Sequence, residues 1–137
     1  MAERRMFAKS VVLADRFFNL QPKARDLYFF LGMTADDDGF VSGPRSIMRQ
    51  TGATRKDLEQ LKREGYLFEF ESGVVVLRHW LLHNYIRPDR YKQTLNLNEK
   101  CLLTMDDNGV FEFRPSYGLP PYIPDAIPDV IPVGDPG

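Results

Sequence analysis

From Pro22 onward, Ala24, Leu27, Tyr28, Leu31 and Ala35 recur at the i, i+3, i+4, i+7 spacing of one helix face. Proline suits the first turn of such a helix, where a missing N–H costs nothing. Phe29 and Phe30 widen the apolar face and predict a central helix, ended by Asp36-Asp37-Asp38-Gly39. A very short strand, Phe40-Val41, follows, and Ser42-Gly43-Pro44 opens a second helix over about 44–51. That helix turns Ile47, Met48 and Thr51 inward and stops at Gly52. Thr54, with Asp57 three residues on, is a variant capping box that starts a third helix over about 55–64. Leu58 and Leu61 mark its buried side and Gly65 its end. Two short helices joined by a tight glycine turn are the helix-turn-helix signature.

The pattern then changes period. Tyr66, Phe68 and Phe70 alternate with Leu67, Glu69 and Glu71; Ser72-Gly73 makes a turn, and Val74-Val75-Val76-Leu77-Arg78 returns. This predicts a β-hairpin. Trp80, Leu81, Asn84 and Tyr85 predict a helix over 79–86, with Trp80 buried against the first helix, and Asn98–Met105 predicts another short one. Val11, Val12, Phe17 and Phe18 suit an N-terminal helix that packs on the body. The expected fold is α+β, mainly α: a winged helix-turn-helix with a short β-hairpin wing and extra flanking helices.

Seven of the ten prolines lie at or after Pro115, and Ile-Pro recurs at Ile123, Ile127 and Ile131. Neither a helix nor a central strand tolerates that spacing. The expected organisation is a winged-helix domain over 1–114 and a proline-rich extended tail or linker over 115–137. A chain cut within a linker to another domain gives the same pattern.

Composition fits one domain: 137 residues, 43% apolar and 27% charged. All 18 basic residues lie in 1–114 against 16 of the 19 acidic ones, so that part carries +2. Within 44–92 ten basic residues face six acidic ones, a local +4 that suits nucleic acid. A single cysteine, Cys101, excludes a disulfide framework and is expected to be inert packing. No apolar run approaches a membrane span, and the N-terminal Met1-Ala2-Glu3-Arg4-Arg5 lacks the apolar stretch that a secretory signal needs after its basic residues, so the expected location is the cytoplasm.

Candidate contact residues follow from helical rotation. Opposite Leu58 and Leu61, the third helix presents Lys56, Glu59, Gln60 and Arg63, types that reach guanine, adenine or phosphate in a major groove. On the second helix Arg45 and Arg49 point outward, where phosphate contacts fit. Arg87, Arg90 and Lys92 interleave with Tyr85 and Tyr91, a pattern suited to phosphates and unpaired bases. An ordinary solvated surface explains each set as well. Glu69 and Glu71 make the wing acidic and poorly suited to a minor groove.

Other chemistry finds little support. His79 and His83 have a zinc-compatible spacing, but no glutamate follows His79 and no further ligand is near; packing beside Trp80 is the expectation. The Asp36–Gly39 run lacks the last-position glutamate of a calcium loop and reads as a turn whose carboxylates cap backbone donors. Without a glycine-rich phosphate loop or a catalytic constellation, the expectation is a binding module rather than an enzyme, with no cofactor and no metal.

Four separated motifs then stand in order: Ala2-Glu3-Arg4-Arg5-Met6-Phe7, Ala35-Asp36-Asp37-Asp38-Gly39-Phe40-Val41, Phe70-Glu71-Ser72-Gly73-Val74-Val75-Val76, and His83-Asn84-Tyr85-Ile86-Arg87-Pro88-Asp89-Arg90-Tyr91. Over about 1–110 the chain resembles the N-terminal domain of phage replisome organiser proteins, relatives of the DnaD-like replication initiation proteins. The resemblance implies a winged-helix domain that binds origin DNA, double-stranded or single-stranded, and helps assemble the primosome with a helicase or its loader. It also implies a homo-oligomer as one use of the domain. The rival readings are an oligomerisation and protein-docking module of the same machinery without direct DNA reading, and a transcriptional regulator.

Overall fold

The structure, a computed structural model, describes residues 3–114; the proline-rich segment and its isoleucines lie outside the described residues. The architecture is α+β. Two short helices, α1 (Lys9–Val12) and α2 (Asp15–Phe18), lead into α3 (Pro22–Thr34). Next come β1 (Phe40–Val41), α4 (Pro44–Thr51), α5 (Arg55–Arg63), β2 (Leu67–Glu69) and β3 (Val75–Leu77). The last elements are α6 (Trp80–His83), α7 (Leu97–Lys100), β4 (Leu103–Met105) and β5 (Phe111–Phe113). The first three strands form one antiparallel sheet in the order β1-β3-β2, with Phe40 opposite Val76 and Leu67 opposite Leu77.

α3 buries Ala24, Leu27, Tyr28 and Leu31, and α5 buries Leu58 and Leu61, in one core with the inner face of the sheet. Phe29 packs edge-on to Phe17, but Phe30 points to solvent, so the apolar face of α3 is narrower than its sequence suggests. Between α4 and α5 the chain reverses at Gly52, whose φ of +79° is the left-handed conformation that glycine adopts without a Cβ penalty.

Three expectations are corrected. The helix expected over 79–86 ends at His83, because Asn84 turns away to bond the N-terminal segment. Its Oδ1 accepts the Met6 N–H at 2.8 Å and its Nδ2 donates to the Met6 carbonyl at 3.3 Å. The helix expected over Asn98–Met105 is one turn, α7, followed by a second hairpin, β4–β5. Asp106 Oδ1 closes that hairpin by accepting the Asn108 and Val110 amides. Cys101 is exposed rather than packed.

The second hairpin explains why both faces of β2 are apolar. Leu67 enters the core, while Phe68 lies on the other face against Phe113, ring centroids 4.6 Å apart. Trp80 is fully buried, as expected, with the 36–39 turn and Arg5 packed on its ring.

His83 is buried too, and its partners settle its role. Nδ1 accepts the Ala8 N–H at 2.8 Å, which puts the neutral ring's proton on Nε2, 2.6 Å from the Tyr28 hydroxyl. Burial pushes its pKa down to about 4 from 6.5, with a smaller contribution from His79. His79 is lowered as well, by burial and by Arg78. The unfolded chain therefore takes up protons before the folded one. Stability contributed by neutral His83 is complete above about pH 6.5 and is lost as pH falls toward 4. The loss is expected to reach about 3 kcal/mol. Thermal melts across that window check it: His83→Gln should flatten the acid limb, and an unchanged limb would contradict this role.

Candidate nucleic-acid interface

The α4–α5 pair is fixed at its corner by local chemistry. Asp57 Oδ2 accepts the Thr54 N–H at 2.8 Å and the Thr54 hydroxyl at 3.2 Å, the capping box expected from sequence. The cations of α5 then divide into two sets.

Arg55 and Lys62 are neutralised by the β2–β3 hairpin. Arg55 grips Glu69 with both terminal nitrogens, at 2.5 and 2.9 Å, and Lys62 Nζ reaches the same carboxylate at 2.8 Å. Glu59 bridges the two cations at 2.8 and 3.2 Å. Burial pushes the Glu69 carboxyl up, but hydrogen bonds and charge from Arg55 and Lys62 outweigh it and hold the group below its usual range. The hairpin is therefore less acidic at its base than its sequence suggests; Glu71 remains exposed, and Ser72 donates to Glu99 at 2.7 Å.

Lys56 and Arg63, seven residues apart on one face of α5, are exposed and have no hydrogen-bond or ion-pair partner among the described residues. Arg45 and Arg49, one turn apart on α4, are in the same state. Gln60 differs. It is half-buried, and its Oε1 accepts the Gln21 N–H at 3.1 Å, bracing α5 against the start of α3. That bond takes the acceptor that a two-point contact to adenine would use.

The 87–92 cluster is also divided. Arg87 pairs with Asp89 at 3.0 Å, both in solvent, whereas the Arg90 and Lys92 side chains are exposed and unpaired among the described residues. Tyr91 is an anchor rather than a stacking platform: its hydroxyl donates to Asp38 at 2.7–2.8 Å and Lys100 lies over its ring. Tyr85, 79% exposed, keeps a free face.

The Asp36–Asp38 turn does more than cap itself. Asp36 Oδ1 accepts the Asp38 and Phe40 amides, as the sequence suggests, but all three carboxylates also hold a strap, residues 92–96. Asp37 accepts the Lys92 N–H at 3.0 Å, Asp38 accepts the Thr94 N–H at 2.8 Å, and Asp36 accepts the Thr94 hydroxyl. Between this strap, β1 and the first turn of α4 lies a cavity of about 530 Å3, with Phe40, Val41 and Ile47 as apolar walls. Sequence reasoning missed the strap because its carboxylate partners are 55–58 residues away.

No family model matches the chain, and neither a curated protein nor a solved structure matches it.

Proposed function

We propose that the chain is a winged-helix DNA-binding module of a phage or prophage replication initiation protein, one that holds origin DNA and helps assemble the primosome. The winged-helix reading is supported by the element order α3, β1, α4, α5, β2, β3 and by the β1-β3-β2 sheet, with the 70–74 turn as the wing. The replication role rests on the four sequence motifs.

One observation carries the DNA reading. Arg45, Arg49, Lys56 and Arg63 stay exposed on α4 and α5 and unpaired among the described residues, while the cations nearest the hairpin are neutralised. Exposed, unpaired guanidinium and ammonium groups on two adjacent helices are free to replace phosphate counterions. Lys56 and Arg63 face the groove, where they reach both base edges and phosphate; Arg45, Arg49, Arg90 and Lys92 serve phosphate. Gln60 acts as a brace, and Arg87 is a weaker candidate because Asp89 already holds it.

Fluorescence anisotropy of a labelled duplex against protein, at several salt concentrations, tests the reading. Each neutralised phosphate steepens log K against log salt by about 0.9 on duplex DNA. With four free cations on α4 and α5, the slope is expected to be steeper than about −2. Absent binding, or binding that ignores salt, rejects it.

A second reading is favoured by a different surface. Leu13 and Phe18 are exposed at a groove between the N-terminal helices and α3, and Phe30 and Met33 are exposed further along α3. That apolar set suits self-association without DNA reading. Sedimentation separates the two: self-association predicts that Phe30→Ser lowers the mass, and the DNA reading predicts no change.

A further inference from the structure

Leu95 is 95% exposed, more than any other large apolar side chain among the described residues. Single exposed leucines are ordinary. What sets this one apart is the backbone beneath it. On its N-terminal side Thr94 is buried at 3%, with its N–H on Asp38 and its hydroxyl on Asp36. On its C-terminal side the Asn96 N–H donates to Thr94 Oγ1 at 3.1 Å, and its Nδ2 donates to Ser42 Oγ at 3.0 Å. Both neighbours are pinned, so the strap holds the leucine out in water. The apolar-walled cavity at its side is left unfilled.

The strap that carries Leu95 is polar, and Lys92 shares the lining of the cavity beside it. Gln93, Thr94 and Asn96 flank it in the chain, Leu97 beyond them is half exposed, and Leu95 itself stands at the edge of the cavity that Phe40, Val41 and Ile47 wall. Arg90 and Lys92 stand exposed on the approach to the strap. The same cavity is lined by Gly43, Ser46 and Ile47, so Leu95 sits next to the first turn of α4, which carries Arg45. The carboxylates below are turned inward to the strap, Arg5 and Lys100, and Asp37 and Asp38 side chains are only 9% and 12% exposed. An apolar side chain held out by a pinned backbone, with exposed cations just ahead of it in the chain, matches the wedges that minor-groove proteins insert between base pairs.

We propose that Leu95 is such a wedge, entering a base step of the duplex held by α4 and α5 and unstacking it. The inference rests on the DNA-binding reading of those helices. It adds a local opening activity to a module otherwise read as a passive holder.

The test uses the full chain and an A·T-rich duplex with 2-aminopurine at a flexible TA step, where unstacking is easiest. Saturating wild-type protein is expected to raise the 2-aminopurine fluorescence. Leu95→Ala and Leu95→Ser are expected to lose the rise while keeping the salt slope, which counts phosphates. Leu95→Met is expected to restore it. An exposed position makes misfolding of these variants a minor concern, and far-ultraviolet circular dichroism checks it. A rise that survives Leu95→Ala, or duplex binding by wild type without a rise, overturns the wedge and leaves the DNA reading standing. A sedimenting mass that changes with Leu95→Ala while fluorescence does not assigns the residue to a protein interface and overturns the wedge. If wild type does not bind the duplex, both proposals fall.

Discussion

Trp80→Ala is expected to cost about 3–5 kcal/mol, the usual range for deleting a buried tryptophan. The indole is fully buried and its Nε1 donates to the Asp37 carbonyl at 2.9 Å. It also fills the space that Gly39 leaves. Gly39 has a φ of +91°, and a Cβ there would lie 2.6 Å from Trp80 Cγ, so turn and ring fit each other only with glycine in place. Removing the ring opens a cavity under the turn and frees the Asp37 carbonyl. In a domain stabilised by about 5–15 kcal/mol, that loss is a large fraction. Urea unfolding reads it as a lower midpoint at unchanged slope. A midpoint close to wild type would mean that the turn collapses onto the space without penalty.

Asp37→Ala is expected to be of similar size, about 3–5 kcal/mol, because it strands a buried cation. Arg5 Nη2 donates to Asp37 at 3.1 Å and to the Ala35 carbonyl at 2.8 Å, and its side chain is 2% exposed. Its Nε and Nη1 have no hydrogen-bond partner among the described residues; the guanidinium lies instead over the Trp80 ring, 5.1 Å from the centroid. Asp37 supplies the only carboxylate on Arg5 among the described residues. The carboxylate also holds the Lys92 amide, so the strap loses an anchor as well. Removing both charges should be milder than removing one. The double variant Arg5→Met, Asp37→Asn is expected to unfold at higher urea than Asp37→Ala alone, the non-additivity expected of contacting groups. Additive losses would show that the pair does not act as a unit.

Much of the body was legible because its signals are local. The proline start of α3, the left-handed Gly52, the Thr54–Asp57 box and the Ser72-Gly73 turn each act within four residues. What escaped was set by distant partners. The helix from Trp80 stops where Asn84 finds the Met6 backbone, and Arg5, Phe7 and Ala8 reach Asp37, Phe29 and His83 over separations that no local pattern spans. Nothing in the spacing of residues 3–8 announces a buried arginine. The β4–β5 hairpin did leave a signal, Asn108-Gly109 between Leu103–Met105 and Phe111–Phe113. The leucine-rich run ahead of it reads equally well as helix, and packing on Phe68 decided the matter.

The candidate site was legible in its residues but not in its electrostatics. Rotation about α5 places Lys56 and Arg63 outward, and they are; it cannot tell that Gln60 leans on Gln21 or that Glu59 is shared by Arg55 and Lys62. Those facts depend on where β2 and the start of α3 lie against the helix. Glu59→Gln is accordingly expected to strengthen duplex binding modestly, because it removes a repulsive carboxylate from this face while Glu69 still holds Arg55 and Lys62.

The most direct measurement is the salt dependence of duplex binding for wild type and for the double variant Lys56→Ala, Arg63→Ala. Both side chains are exposed and make no hydrogen bond or ion pair among the described residues, so the variant should fold and melt like wild type. Its binding is expected to weaken, and its log K against log salt slope to flatten by up to about two units, at about 0.9 per lost phosphate. Equal affinity and slope in the two proteins would contradict the assignment of α5 as the element that meets DNA.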